Sequence, residues 1–363
     1  MAGAPADWRD LWQELVHREP FAHPEWVHAY LRCFEPDVRL VWLESRVGSR
    51  LDALIPLIRE ARVYDGLPAR VLRVPMNDHC FRCGLLARGT DRDDGGAERL
   101  WAAIAGQTGW DLFCVPKYAV GGAFDDVARR ARSAGYPVLT RPAGGTRFVP
   151  LANDGPAAQR PWLDTIDASL KRRLRKTSRL IQESLGAAPL LEHCEAADAA
   201  QLERFYAIEG SGWKGREGTA ILCSAATRAF YDTVAETMAT DRALVLHFLT
   251  VQDVTLAAAF SVRLDDRLFV LKFSYDEKYA KYGPGNLLSS DVLRDSWERG
   301  IREVDFGPDA EYKQAWTPHV QEHQSLYLFN RSAYGTLLYA YRARLRPWLG
   351  GLIRRRRGTT AEP

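Results

Sequence analysis

The sequence contains no long apolar run and no export signal. Nowhere in its 363 residues does a stretch approach the about 18 uninterrupted apolar residues that a membrane-spanning helix needs. The start MAGAPADWRD lacks the basic region and the apolar run of a secretion signal. The sequence therefore predicts a cytoplasmic protein, and its length predicts two domains of ordinary size.

The chain also has no large excess of positive or negative charge. The net charge is +3, but residues 342–363 hold seven Arg and one Glu, so the rest of the chain carries −3. A body without excess positive charge is not expected to bind DNA. The basic tail ends a helical stripe of aromatic and leucine residues, Ala333 to Arg357. We favour packing of this stripe against the body; the alternative is weak contact with an anionic membrane at its inner face.

Cysteine is sparse, and the six cysteines are scattered through a chain expected in a reducing compartment, so disulfides are not expected. Only His79-Cys80 and Cys83 show a suggestive spacing, and a single C-x-x-C without a second pair favours a structural role. His319 and His323 lie four residues apart but lack the glutamate of a zinc-protease helix. The sequence therefore predicts no metal site.

Two parts of the chain follow the same plan. Val38–Arg59 and Ala243–Leu264 each read as two half-buried strands joined by a short polar turn. After each pair come a helix, a glycine and another strand: Glu98–Thr108, Gly109 and Trp110–Val115 in the first half, and Leu287–Arg299, Gly300 and Ile301–Phe306 in the second. The pattern predicts a duplicated α/β unit, with a boundary in the stretch Ala152–Gln159, which is rich in small and turn-forming residues.

The segment from Ser274 to Trp316 is the most informative about function. Its turn Gly283-Pro284-Gly285 follows a strand-like run and opens a helix, so free backbone N–H groups there can bind an anion. Glycine allows the backbone to approach a phosphate closely. The first half of the chain has no counterpart of this turn. The alternative is a simple connection between strand and helix.

Taken with Trp213-Lys214 in the upstream Ser-Gly-Trp-Lys-Gly stretch, this order of elements resembles the GNAT superfamily of acyltransferases, over roughly residues 20 to 330. The nearest group includes cellulose-biosynthesis-associated acetyltransferases and is related to the Fem-type peptidoglycan aminoacyl transferases. The resemblance implies an α/β (α+β) fold of two tandem GNAT-like domains, each a mostly antiparallel mixed sheet flanked by helices. We expect a degenerate domain at 1–155, an acyltransferase domain at 156–333, and a basic helix and tail at 334–363.

The resemblance implies a position for the donor. Residues 283–287 stand where the superfamily cradles a pyrophosphate, which predicts acyl-coenzyme A as donor and the contacting residues Gly283, Pro284, Gly285, Asn286 and Leu287. The chain departs from the pattern at Ala280, where the superfamily has Arg or Gln. This departure, and the cations of the helix predicted at Asp167–Leu185, leave aminoacyl-tRNA or an acyl carrier protein open as alternative donors. The same helix also fits a simple solvated cover of the domain junction.

The resemblance also implies catalytic residues. Tyr312-Lys313 resembles the Phe/Tyr-Lys signature that closes the Fem-type fold, so Lys313 is predicted to stabilise developing negative charge. Asp305, at the end of a short strand, is predicted either as the general base or as a structural carboxylate that bonds the next turn. The candidates for protonating the leaving thiolate, which the sequence does not rank, are Tyr275, Tyr279 and Tyr282.

The remaining candidates belong to the acceptor pocket. Trp213, in a glycine-flanked loop, is predicted to be more exposed than a core tryptophan. The predicted pocket residues are Trp213, Lys214, Lys272, Asp276, Tyr312 and Trp316. Together these features predict an N-acyltransferase that acts by direct attack of a small-molecule amine on a thioester, without metal. The alternative from another class is a non-catalytic component of polysaccharide or envelope assembly.

Overall fold

The computed structural model describes residues 4–84, 86–88, 96–151, 166–195 and 198–345. The α-helices are α1 (Trp8–Gln13), α2 (Pro24–Phe34), α3 (Gly96–Ala105), α4 (Ala123–Ser133), α5 (Ala168–Leu185), α6 (Ala199–Gly210), α7 (Trp213–Arg216), α8 (Ala225–Thr240), α9 (Pro284–Glu298) and α10 (Ala333–Ala340). The strands are β1 (Arg39–Val47), β2 (Arg50–Tyr64), β3 (Leu67–Arg73), β4 (Leu86–Ala87), β5 (Leu112–Ala119), β6 (Val138–Pro150), β7 (Leu190–Cys194), β8 (Leu244–Val251), β9 (Val254–Leu264), β10 (Arg267–Tyr275), β11 (Glu303–Pro308) and β12 (Val320–Phe329).

All these strands form one sheet in the order β1-β2-β3-β5-β12-β6-β11-β10-β9-β8-β7, with β4 beside β2. Each half of the sheet contains one parallel contact, β3 with β5 and β10 with β11, and its other contacts are antiparallel. Helices pack on both halves. The tandem α/β fold predicted from the sequence is confirmed, including the paired strands at β1–β2 and β8–β9.

The two halves exchange one strand each, which the sequence did not predict. Strand β6 follows the first unit in the chain but pairs with β11 of the second, and β12 follows the second unit but pairs with β5 of the first. The exchanged strands pair with each other at the centre of the sheet. Backbone hydrogen bonds therefore join the two units, in addition to side-chain packing. The predicted boundary at residues 152–159 lies outside the described residues.

In the second unit, the N-terminus of helix α9 lies beside the end of strand β10. Gly283 adopts a left-handed conformation with φ +67°, which a glycine accepts without strain, and Pro284 supplies the first residue of α9. Helix α9 buries Leu288, Val292 and Leu293 against the sheet. A short 3-10 helix, Glu277–Tyr282, joins the end of β10 to α9, and Gly285 of α9 lies beside Phe273 and Tyr275 of β10.

The described part of the tail packs against the first unit. Leu338 joins a small buried cluster with Val71 and Phe329, and the Tyr334 hydroxyl donates to the Pro68 carbonyl. Arg342 lies 3.8 Å from the Tyr327 ring centroid. Among the described residues, no helix combines the length and apolarity required to cross a membrane. The four consecutive arginines of the tail lie outside the described residues.

Candidate functional site

A cleft of about 640 Å³ opens between β10 and β11. The two parallel strands pair only from Arg267–Phe269 to Glu303–Asp305. Beyond this point β11 continues beside β6 while β10 stays with β9, so the strands separate. The cleft is lined by residues 270–275 of β10 and by Phe306 and Pro308 of β11. One edge of β10 is thereby left without a partner strand among the described residues. Its backbone groups are open to a ligand except the Phe273 carbonyl, which accepts from Lys214 Nζ at 3.3 Å.

The N-terminus of α9 forms one wall of this cleft. Gly283, Pro284, Gly285 and Asn286 line it, as the sequence predicted, while Leu287 is buried in the core below. The first-turn amides of an α-helix lack intrahelical partners and favour an anion. A Cβ placed on Gly285 would lie 3.3 Å from Tyr275 Cδ1. Glycine at this position therefore keeps the space between the helix start and β10 open.

Lys313 lies in the opposite wall, in a short 3-10 turn at Glu311–Lys313. Its Nζ donates to the carbonyl oxygens of Phe306 at 2.7 Å and Pro308 at 2.6 Å. An ammonium group has three hydrogens, so one remains for a ligand. Burial lowers the pKa of Lys313 to about 8, although Asp305 and Asp309 oppose the shift. Tyr312 is exposed beside it, and Trp316 is buried at the cleft wall.

Two further lysines line the end of the cleft near α7. Lys214 Nζ donates to Ser274 Oγ at 3.1 Å and lies 3.3 Å from Oε1 of the buried Glu209. Lys272 lies over the Tyr231 ring, 5.4 Å from its centroid, and burial together with Lys214 lowers the pKa of Lys272. Trp213 is 51% exposed, so the expectation of an accessible tryptophan is met. This end of the cleft therefore combines two lysines with the carboxylates of Glu209 and Glu277, beside aromatic surface.

The tyrosines predicted as acids occupy different places. Tyr275 is 39% exposed and lines the cleft. Tyr279 and Tyr282 lie in the loop before α9 and pack against the core, outside the cleft lining. Hydrogen bonds with Ser184 and Lys281 lower the pKa of Tyr282. Asp276 also lies outside the lining, where its side chain accepts from the Lys278 N–H.

Asp305 is 2% exposed and does not line the cleft. One carboxylate oxygen accepts from the Gly307 N–H at 2.8 Å and the other from Arg82 Nη1 at 2.9 Å. Arg82 itself is buried and also donates to Glu19. The geometry matches the second role that the sequence left open for Asp305, a carboxylate that bonds the following glycine turn.

Sequence reasoning missed three contributors to the cleft. Phe81, from the C-x-x-C segment of the first unit, lines it. Glu209 pairs with Lys214 and accepts the Ile221 N–H, and Glu277 accepts the Trp213 N–H at 2.8 Å. Glu209 lies just before the stretch that contains Trp213-Lys214, and Glu277 lies within Ser274–Trp316; the sequence had indicated both segments. Phe81 is 186 or more residues distant from β10 and β11, and no local pattern could have indicated it.

A comparison with known protein families finds a match in the second unit. A family model described as acetyltransferase (GNAT) domain matches residues 168–314, a range that contains the helix start, β10 and Lys313. The second unit thus matches a GNAT acetyltransferase domain, and the protein is an acyltransferase. No curated protein sequence matches the chain significantly.

Solved structures with similar folds extend over both units of the GNAT-fold chain. FemX is 9% identical, with a TM-score of 0.59 over 93% of this chain and 99% of its own. The C-terminal domain of a putative lysylphosphatidylglycerol synthetase from Agrobacterium fabrum is 11% identical, with a TM-score of 0.54 over 92% and 94%. A protein of unknown function from Bacteroides thetaiotaomicron is 11% identical, with a TM-score of 0.53 over 90% and 97%. At these identities the likeness concerns the fold alone.

Proposed function

We propose that the protein is an N-acyltransferase that moves an acyl group from acyl-coenzyme A to an amine by direct attack. The observation that carries the proposal is the cleft between the separated strands β10 and β11, with the start of α9 in one wall and Lys313 in the other. A thioester donor with a phosphate-bearing end requires both features. The resemblance of residues 274–316 supports a place near the cellulose-associated acetyltransferases.

The donor would lie along the open edge of β10. Its pyrophosphate would meet the Gly285 N–H in the first turn of α9, where the helix dipole favours negative charge, beside the Asn286 N–H, which donates to the Gly283 carbonyl at 3.2 Å. The register between β9 and β10 shifts between Val270 and Lys272, which marks a bulge that leaves backbone groups unpaired. These groups are placed to bond the amides or the carbonyl of an extended donor.

The reaction requires few side chains. The amine nitrogen attacks the thioester carbonyl carbon, the tetrahedral intermediate collapses, and the carbon–sulfur bond breaks to release a thiolate. The proton that the nitrogen loses would pass to solvent water in the open cleft and would replace the proton that the thiolate takes up. The third hydrogen of Lys313 would stabilise the negative charge that develops, and Tyr275 is the tyrosine placed to protonate the thiolate. For Asp305 we propose a positioning role through Arg82 and Gly307, because its carboxylate is buried and already bonded.

The acceptor would enter at the α7 end. Trp213 is exposed there, and Lys214 and Lys272 supply positive charge beside the carboxylates of Glu209 and Glu277. This combination suits an amine that also carries an anionic group. Glu277 holds the short helix α7 in place, because its carboxylate accepts hydrogen bonds from the Trp213 backbone N–H and from the Arg216 side chain.

The pH dependence of the rate tests the charge on Lys313. With a pKa of about 8, Lys313 loses its proton as pH rises through that value, whereas an arginine stays protonated. We expect the ratio of the wild-type rate to the Lys313→Arg rate to fall as pH rises through about 8. The ratio removes the titration of the acceptor amine, which is common to both proteins. A ratio that stays constant from pH 6 to about 10 would contradict a cationic role.

One observation favours a second candidate donor. Helix α5 lies against the loop before α9, since a Cβ placed on Gly283 would be 3.7 Å from Thr177 Oγ1. The same helix exposes the cations Arg172, Arg173, Arg175, Lys176 and Arg179. These positive charges beside the loop before α9 suit the phosphate backbone of a tRNA or an acidic carrier protein, as well as the phosphate of a single nucleotide.

A thermal-shift panel separates these donors. The full-length protein is heated with coenzyme A, a phosphopantetheinylated carrier protein, tRNA and a nucleotide sugar, because a ligand that binds the native state alone raises the melting temperature. We expect coenzyme A to raise it. A shift with tRNA alone that falls steeply with added salt would move the assignment to an aminoacyl transferase. No shift with any probe would favour the non-catalytic alternative.

A further inference from the structure

Two histidines and one aspartate meet on the sheet face that α9 covers, away from the cleft. His193 of β7 and His247 of β8 are direct partners across the two strands, so their side chains share one face. Val245 and Leu249 of β8 lie on that face and pack in one cluster with Val292 of α9. Asp295 lies one turn further along α9, about 16 Å from the start of the helix at about 1.5 Å per residue.

Three donor atoms converge at this point. Asp295 Oδ2 lies 2.7 Å from His193 Nδ1 and 3.2 Å from His247 Nε2, and the two nitrogens lie 3.2 Å from each other. A tetrahedral zinc ion with bonds of about 2.0–2.1 Å holds its ligand atoms about 3.3 Å apart. To hold such an ion, each distance between two of the three donor atoms would lengthen by about 0.6 Å or less.

Hydrogen bonding alone accounts poorly for this arrangement. His193 Nε2 faces Glu195 Oε1 at 3.3 Å, so both ring nitrogens of His193 face a carboxylate. A neutral imidazole has a single N–H and can donate to one carboxylate only. His247 is 1% exposed and also directs a nitrogen at the same aspartate oxygen. A neutral His193 without a metal therefore leaves one of its two carboxylate contacts without a hydrogen.

A bound metal resolves the conflict. His193 then offers the Nδ1 lone pair to the ion and keeps its proton on Nε2 for Glu195, an arrangement typical of metal-ligating histidines. The second oxygen of Asp295 accepts from Arg299 at 3.0 Å, which fixes the carboxylate in a monodentate position. The surroundings thus supply both the ligands and the groups that orient them.

We propose that His193, His247 and Asp295 bind one Zn²⁺ ion as a structural site. Imidazole nitrogens and a carboxylate oxygen suit zinc, and none of the three residues lines the cleft. The ion would join strand β7, strand β8 and the C-terminal part of α9, whose other end forms the proposed donor cradle. With three protein ligands, a water completes the coordination.

Cobalt binding tests the site on the full-length protein. Co²⁺ replaces Zn²⁺ in tetrahedral sites and gives visible absorption, so the chelator-treated protein is titrated with Co²⁺ and then with Zn²⁺. We expect one equivalent of Co²⁺ with a tetrahedral spectrum, displaced by one equivalent of Zn²⁺. His193→Gln and Asp295→Asn should each abolish the spectrum, and Glu195→Gln should weaken binding by about 10–100-fold.

His319→Gln is the matched control, because His319 is exposed and lies outside the cluster. It should bind Co²⁺ as the wild type does, and circular dichroism of each variant checks the fold. His193 is partly exposed, so His193→Gln keeps the test valid if Asp295→Asn fails to fold. Absence of a cobalt spectrum in the wild type, or an unchanged spectrum in folded His193→Gln, would overturn the proposal.

Discussion

Lys313→Met is expected to lower the single-turnover rate of acyl transfer by about 10²–10³, with the donor saturating, while donor affinity stays within a few fold. The physical reason is the spare hydrogen of Lys313, which faces the cleft because the other two bond the carbonyls of Phe306 and Pro308. Charge that appears only in the transition state affects the rate and leaves ground-state binding nearly unchanged. Rapid-quench measurement of the acylated amine gives the rate.

Two controls accompany this variant. Lys278→Met removes an exposed lysine from the loop before α9 that does not line the cleft, and it should leave the rate unchanged. Circular dichroism and melting temperature show whether the loss of the two carbonyl contacts has disturbed β11. A rate within threefold of the wild type in a folded Lys313→Met protein would remove Lys313 from the mechanism.

Gly285→Val is expected to weaken donor binding at least tenfold, a change of about 1.4 kcal/mol or more, while the fold survives. A Cβ alone would already lie 3.3 Å from Tyr275 and 3.4 Å from Phe273, so the branched side chain must occupy the cleft where the backbone meets phosphate. Titration calorimetry with coenzyme A measures the dissociation constant.

A graded series strengthens this test. Gly285→Ala adds only the Cβ, so its effect should lie between that of glycine and that of valine. Gly210→Ala is a matched control, since a Cβ there meets nothing nearer than 3.9 Å and the residue does not line the cleft. Unchanged affinity for coenzyme A in a folded Gly285→Val protein would show that the helix start is not the phosphate cradle.

Local signals made much of the second unit predictable. The strand alternation of Ala243–Leu264 appears as β8 and β9, and the Gly283-Pro284-Gly285 turn begins α9, because φ > 0 at a glycine followed by proline is a strong local determinant. Residues 283–286 and Lys313, which line the cleft, belong to the segment Ser274–Trp316, and Trp213 belongs to a second short stretch; the family resemblance indicated both. Each of these inferences depends on residues close together in the chain.

Features built by distant residues were not predictable in this way. The exchange of β6 and β12 between units depends on strand pairings that no periodicity encodes. Asp305 was expected to face either a cleft or its own turn, and its buried partner Arg82 lies 223 residues away. His193 and His247 are separated by 54 residues and become neighbours only when β7 pairs with β8.

The most direct test of the central claim is a crystal structure of the full-length protein with coenzyme A. The proposal predicts the pyrophosphate at the N-terminus of α9, within hydrogen-bond distance of the Gly285 backbone N–H, with the thiol end between β10 and β11 on the side of Lys313. Density for coenzyme A elsewhere on the protein, with the cleft between the separated strands empty, would contradict the assignment of that cleft as the acyl-transfer site.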